Sequence, residues 1–213
     1  VVDPDVDRLA IICEDGEMFG EEYTLVAVAD YVLKHTPGNT VSNLSSSRAL
    51  KDVTEAYGQQ YHAAAVGEVN VVAEMKRTHS VIGGEGNGGV IYPESHYGRD
   101  ALVGVGLFLS HYVAQSKKMT ELKSTYPPYF ISKNKMTLSP DMDVDKILEG
   151  LKERYATEKV TDIDGVKIDF AQGWVHLRKS NTEPIIRIYS EAKDEAAANQ
   201  LAEEVIAAAK STL

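Results

Sequence analysis

Three carboxylates alternate along Asp3-Pro4-Asp5-Val6-Asp7, and Arg8 follows at once. A short loop of this pattern can aim three hard oxygen ligands at one point. That donor set suits Mg²⁺, which takes oxygens in near-octahedral geometry and shares them with phosphate. Arg8 adds a fork of donors for the same anion. The same residues also suit a solvated turn, since Asp-Pro and alternating acids favour one. A metal loop at residue 3, in a chain with no Met start, is expected of a chain that begins inside a larger protein.

A second segment, Gly83-Gly84-Glu85-Gly86-Asn87-Gly88-Gly89, has five glycines in seven residues. Such a loop lets backbone approach a ligand closely. Glu85 and Asn87 are its only side chains with reach, and together they accept and donate, as neighbouring sugar hydroxyls require. Backbone amides of the loop offer an alternative, a phosphate cradle. The lysine of a P-loop and the helix-opening glycines of a dinucleotide fold are absent, and Glu85 would repel phosphate. A plain flexible turn is the simplest reading. The third segment is Arg178-Lys179-Ser180-Asn181-Thr182-Glu183-Pro184, with Arg187 three residues on. Charge from Arg178 and Arg187 and donors from Ser180, Asn181 and Thr182 suit one anion. An ordinary polar turn would look similar.

The elements that must position these residues follow from periodicity. Apolar residues Leu25, Val28, Ala29, Val32 and Leu33 recur at helical spacing between residues 21 and 35, and Pro37-Gly38 stops the helix. Leu9 to Cys13 reads as a buried strand, turned back at Asp15-Gly16. Strands at 40–44, 61–66 and 80–83 alternate with helices from Ser46, as cap, to 57 and from 69 to 77. A further helix covers 100–115. This alternation predicts an α/β layer with a mixed, mostly parallel sheet and flanking helices. After a polar stretch ending in Tyr126-Pro127-Pro128 the order changes. Strands at 129–135, 160–162, 166–170, 174–178 and 185–190, with helices at 143–155 and 194–209, predict a smaller α+β domain with an antiparallel sheet. The expected division is 1–8 as a metal-loop remnant of a preceding domain, 9–125 as an α/β domain and 126–213 as an α+β domain.

Bulk composition narrows the function classes. A net charge of −10 argues against non-specific nucleic-acid binding. No apolar run approaches a membrane helix. The single cysteine, Cys13, lies in an apolar run, reads as a buried small hydrophobe and fits a reducing, cytoplasmic compartment.

The three motifs, in this order and on these elements, resemble the α-D-phosphohexomutase family (phosphoglucomutase, phosphomannomutase and phosphoglucosamine mutase). The resemblance covers essentially the whole chain: the end of the family's second domain and all of its third and fourth. It implies that Asp3, Asp5 and Asp7 bind Mg²⁺ and that Arg8 acts catalytically by stabilising charge. Glu85 and Asn87 would bind sugar hydroxyls, and Arg178, Ser180, Asn181, Thr182 and Arg187 the phosphate. The implied reaction interconverts hexose 1-phosphate and hexose 6-phosphate through a phosphoserine and a hexose 1,6-bisphosphate. Two departures stand out: Asn87 replaces the usual serine, and Gly89 stands where a histidine often closes the loop. The family's phosphoserine lies in its first domain, and no segment here resembles that motif. The chain alone is therefore expected to be inactive and to need the missing N-terminal domains as partner. The competing expectation is a non-catalytic sugar-phosphate-binding module. The loop Val66-Gly67-Glu68-Val69-Asn70 loosely matches another family loop that touches substrate. His96, Arg99 and Asp100, just past the sugar loop, suit either a site role or a surface or capping role.

Overall fold

The computed structural model describes residues 1–139, 142–180 and 182–211. They form two units, Val1–Pro127 and Pro128–Leu213. The first carries α1 (Glu21–His35), β1 (Thr40–Asn43), α2 (Ala49–Ala56), β2 (Tyr61–Ala64), α3 (Glu68–Thr78), β3 (Ile82–Glu85), β4 (Gly89–Ile91), α4 (Ala101–Gln115) and α5 (Met119–Lys123). The five apolar residues that predict α1 are all buried. Glu21 and Glu22 in its first turn and Lys34 and His35 in its last complement the helix dipole. The sheet order is β2-β1-β3-β4. β1 runs parallel to both β2 and β3, and β4 returns antiparallel to β3. The sheet is thus mixed and mostly parallel, with helices packed on it, as expected.

Three local expectations are corrected. Leu9 to Cys13 is not a strand: it makes only isolated bridges, Val2 with Leu9 and Ile12 with Met18. Its flanking segments are short loops that each supply one rung, so no ladder propagates. Leu9, Ile11 and Cys13 still alternate into the core, and Cys13 is buried and unpaired to sulfur. Ser46 is not the cap of α2, whose N-cap is Arg48. The Ser46 hydroxyl instead donates to Asn43 Oδ1 at 3.2 Å and accepts from the Gly86 amide at 2.9 Å. The glycine-rich segment is not a loop after a strand. It is a β-hairpin, and Glu85 is the last residue of β3, paired with Gly89.

The second unit carries β5 (Phe130–Thr137), α6 (Val144–Arg154), β6 (Lys159–Thr161), β7 (Val166–Asp169), β8 (Gly173–Lys179), β9 (Ile185–Ala192) and α7 (Glu195–Lys210). Its sheet, ordered β5-β9-β8-β7-β6, is antiparallel throughout. Alternate residues Val175, Leu177, Ile186 and Ile188 build one core with Ile147 and Leu151 of α6 and Leu201 and Val205 of α7. By the period of two, Trp174, His176 and Arg178 of β8 and Arg187, Tyr189 and Glu191 of β9 project from the other face. Asp143 and Asp194 cap α6 and α7 by accepting from backbone amides. Among the described residues no helix is long and apolar enough to cross a membrane.

Candidate functional site

The first unit gathers the metal-type loop and the glycine hairpin. Oxygens of Asp3, Asp5 and Asp7 lie within 4.8 Å of one another. The loop is held by its own polar groups. Asp3 Oδ1 accepts from the backbone of Asp7 at 3.2 Å and of Arg8 at 3.1 Å. Val6 takes a left-handed conformation (φ 59°), which turns the chain so that its neighbours converge. Arg8 Nε lies 2.9 Å from Asp3 Oδ2 and 3.2 Å from Asp7 Oδ1. Burial pushes the Asp3 carboxyl up, but donations from the Arg8 backbone and from Asp7, with the Arg8 charge, outweigh it. The carboxyl is held below its usual range.

Arg99 ties this loop to the rest of the unit. Its guanidinium binds three carboxylates from three segments: Asp7 Oδ2, Glu85 Oε2 at 2.5 Å and Glu68 Oε2 at 3.1 Å. Glu85 is only 4% exposed. Its other oxygen accepts from Asn43 Nδ2 at 2.8 Å and from the Gly67 amide at 3.2 Å. Glu85 is therefore a buried anchor as well as a member of the hairpin. Asn87, at the hairpin tip, is half-buried, and its Oδ1 accepts from the Gly89 amide at 3.2 Å. Gly88 must be glycine. Its φ is +86°, and a Cβ there would run into the backbone of Leu9. The Leu9 amide donates to Gly88 O at 3.0 Å, which fixes the hairpin tip against the segment leading from the metal-type loop.

Asp100 is the N-cap of α4, and the half-exposed His96 pairs with it. Asp100 accepts from the amides of Leu102 at 2.8 Å and Val103 at 3.0 Å, and from His96 Nε2 at 3.0 Å. Asp100→Ala is expected to destabilise the first unit by about 1 kcal/mol, with Asp100→Asn nearly neutral. Thermal unfolding of the two variants checks this.

In the second unit the expected anion turn joins β8 to β9. Asn181 lies outside the described residues. The turn is closed by Ser180 N donating to Ile185 O at 3.0 Å. Ser180 Oγ and Thr182 Oγ1 are 3.4 Å apart, and the Thr182 amide donates to Ser180 Oγ at 3.4 Å. Arg178 and Arg187 are direct partners across β8 and β9, and Lys135 of β5 is Arg187's partner on its other side. Three cations thus line one row of the sheet. Glu183 pairs with Arg187 at 3.2 Å. Sequence reasoning missed Lys135, whose place in the row depends on strand register, and the anchoring partner Asn43; Glu68 is named there only through the loose match of its loop, not as a partner of Arg99. Spacing along the chain carries no signal for any of these.

Comparison with known proteins matches both units. Residues 20–129 match the phosphoglucomutase/phosphomannomutase alpha/beta/alpha domain III, and residues 133–208 match the C-terminal domain of the same family. A phosphoglucomutase/phosphomannomutase of Thermococcus kodakarensis is 36% identical over 94% of this chain and 44% of its own length. A phosphoglucosamine/phosphogalactosamine mutase of Sulfurisphaera tokodaii is 33% identical over 95% of this chain and 46% of its own. The chain thus spans less than half the length of these relatives. The crystal structure of a phosphoglucomutase/phosphomannomutase family protein from Burkholderia thailandensis superposes on all of this chain and 46% of its own. The TM-score is 0.83 at 24% identity, a likeness of fold. With both domain models matched in order across the two units, the chain belongs to the α-D-phosphohexomutase (phosphoglucomutase/phosphomannomutase) family, of which it carries the C-terminal region.

Proposed function

We propose that this chain is the metal-holding, sugar-binding and phosphate-gripping part of a phosphohexomutase. The parent enzyme would interconvert hexose 1-phosphate and hexose 6-phosphate through a phosphoserine and a 1,6-bisphosphate, with the serine supplied by N-terminal domains. Residues 1–8 would be the end of the preceding domain, 9–125 the sugar-binding domain and 126–213 the phosphate-binding domain. The observation that carries the reading is the convergence of the Asp3, Asp5 and Asp7 oxygens, wired through Arg99 to Glu85 of the glycine hairpin. The donor set fits Mg²⁺: all three are hard carboxylate oxygens. Their oxygens lie within 4.8 Å of one another, so small side-chain rotations would bring them to the roughly 3 Å separation of neighbouring ligands around an octahedral ion with bonds of about 2.1 Å.

When bound, Mg²⁺ offsets negative charge on the phosphoryl group in transfer. Asp3, Asp5 and Asp7 hold it, and Arg8, about half-exposed, adds a mobile cation beside the same group. Glu85 and Asn87 orient sugar hydroxyls. Arg178, Ser180, Asn181, Thr182 and Arg187 grip the phosphate that is not reacting, which spends remote binding energy on positioning. The cation row supports this role. Like charges directly opposite on neighbouring strands destabilise a sheet, and an anion relieves the repulsion. The buried lone Cys13 fits a cytoplasmic home.

Two assays test the reading. The purified chain, titrated with glucose 6-phosphate in a calorimeter, is expected to bind it, about tenfold more weakly in Arg178→Ala. Supplied with Mg²⁺, a trace of hexose 1,6-bisphosphate and glucose, mannose or glucosamine 1-phosphate, the chain alone should not turn over. The polypeptide extended to include a serine domain should turn over one of them preferentially. Failure of that longer protein on every substrate, with binding intact, would favour a non-catalytic sugar-phosphate module.

A further inference from the structure

We infer that Arg99, through the space left open by Gly89, is a positioning residue that presents Asp7 to the metal. The inference rests on the metal-loop reading above. Asp7 has two oxygens: Oδ2 is held by Arg99, and Oδ1 lies 3.2 Å from Arg8 Nε. The two grips are unequal. The Arg99 side chain is 17% exposed and is fixed by Glu85 and Glu68 as well. The Arg8 side chain is 49% exposed. A guanidinium hydrogen-bonded to Asp7 and Glu85 at 17% exposure, with Glu68 as a further ion pair, outlasts an exposed pair, which contributes little. Arg8 is therefore the partner that yields, and Oδ1 is the oxygen that turns to the ion. Arg99 keeps Oδ2 occupied, fixes the carboxylate plane and prevents the loop from rotating away. Such outer contacts typically set metal affinity by a factor of about 10 to 100.

Gly89 is the second half of the device. A Cβ at position 89 would lie 2.5 Å from Arg99 Cδ, 3.1 Å from Asn87 Oδ1 and 3.2 Å from Arg99 Cγ. The aliphatic stem of Arg99 runs through the volume that any side chain at 89 would fill. Position 89 thus controls the metal loop without carrying a polar atom and without touching Asp7. The same guanidinium grips Glu85, so it also fixes the spacing between the metal loop and the sugar hairpin.

The test is Mg²⁺ binding by calorimetry on the wild-type chain and on Arg99→Ala, Arg99→Lys, Gly89→Ala and Gly89→Ala/Arg99→Ala, each checked for folding by thermal melt. Asp5→Asn serves as the metal-loop control. Expected are a loss of about tenfold or more for Arg99→Ala, partial recovery in Arg99→Lys and a comparable loss for Gly89→Ala. In the Arg99→Ala background Gly89→Ala should cost less than about twofold more in Mg²⁺ affinity, because the stem it displaces is gone and only the tight approach to Asn87 Oδ1 remains. A purely structural role would shift melting temperatures and leave Mg²⁺ affinity of the folded variants unchanged. If Arg99→Ala fails to fold, Arg99→Lys and Gly89→Ala carry the test. Wild-type binding that depends on Asp5, with Arg99 and Gly89 variants within twofold of it, overturns this inference alone. Absence of Mg²⁺ binding by the wild-type chain overturns the metal-loop reading and this inference with it.

Discussion

Glu85→Ala is expected to destabilise the first unit by about 3–5 kcal/mol, the cost of breaking a buried ion pair from one side. The carboxylate is 4% exposed, so solvent screens it little. Its removal leaves the Asn43 amide and the Gly67 N–H without this acceptor and takes one of the three carboxylates from the Arg99 guanidinium. Glu85→Gln should cost less, about 2 kcal/mol, because an amide oxygen still accepts from Asn43 and Gly67 while the charge facing Arg99 is lost. The chain's single tryptophan, Trp174, lies in the second unit and separates the two responses. In urea, the far-UV signal of the first unit should move to lower denaturant while Trp174 fluorescence keeps its midpoint. A shift in the first unit of under about 1 kcal/mol for Glu85→Ala would show that the pair is not holding the hairpin. The arithmetic also limits Glu85 as a sugar reader. A carboxylate has roughly four acceptor positions, and Asn43, Gly67 and Arg99 occupy three. One remains for a hydroxyl.

How much of this was legible depends on how far apart the partners are in sequence. The helix Glu21–His35 was read to the residue, because the apolar spacing lies within it and the Pro-Gly stop lies just past its end. The strands of the second unit were found within a residue or two for the same reason: runs of β-branched and aromatic residues between turn signals are local, although β7, β8 and β9 are buried on both faces. The metal-type loop was visible because its three carboxylates are two residues apart. The glycine hairpin was located, but its second strand was not. Gly89-Val90-Ile91 has too few side chains to announce a strand, and glycine lowers any such expectation. The short helix Met119–Lys123 spans barely more than one turn and shows no periodicity. Ser46 looked like a cap because a cap is the local use of a serine before a helix. Its real partner, Gly86, is 40 residues away. Arg99 is the sharpest case. Its contact with Asp7 spans 92 residues, and nothing in the order of the chain marks it.

Acidification is expected to weaken the second unit through His176, by about 2 kcal/mol between pH 7 and pH 5 and about 3 kcal/mol by pH 4. The imidazole is 1% exposed. Burial depresses its pKa from 6.5 to about 4. Its Nε2 donates to Asp164 O at 2.6 Å, which works against the shift, whereas the charges of Lys167 and Arg178 add to it. The sign follows from proton counting. Between about pH 6.5 and 4 the unfolded chain binds a proton at this histidine and the folded chain does not. Stability therefore falls as pH falls through that window and is fully present above it. Carboxylates lose their own native interactions in the lower part of the same range, so the slope alone does not isolate the group. His176→Gln does, because it removes the titration and keeps an N–H for Asp164. Urea midpoints from Trp174 fluorescence should decline steeply from pH 6.5 to 5 in the wild type and stay nearly flat in His176→Gln. Parallel slopes would mean that the imidazole takes up its proton inside the fold. Because Arg178 stands two residues along on the same face, a folded protein that protonates His176 would also add charge beside the anion turn, and at pH 5 glucose 6-phosphate would then bind more tightly to the wild type than to His176→Gln, a comparison made at one pH because the phosphate itself takes up a proton near about pH 6. A buried neutral imidazole leaves that affinity without this added term, so the two measurements decide the same question from opposite ends.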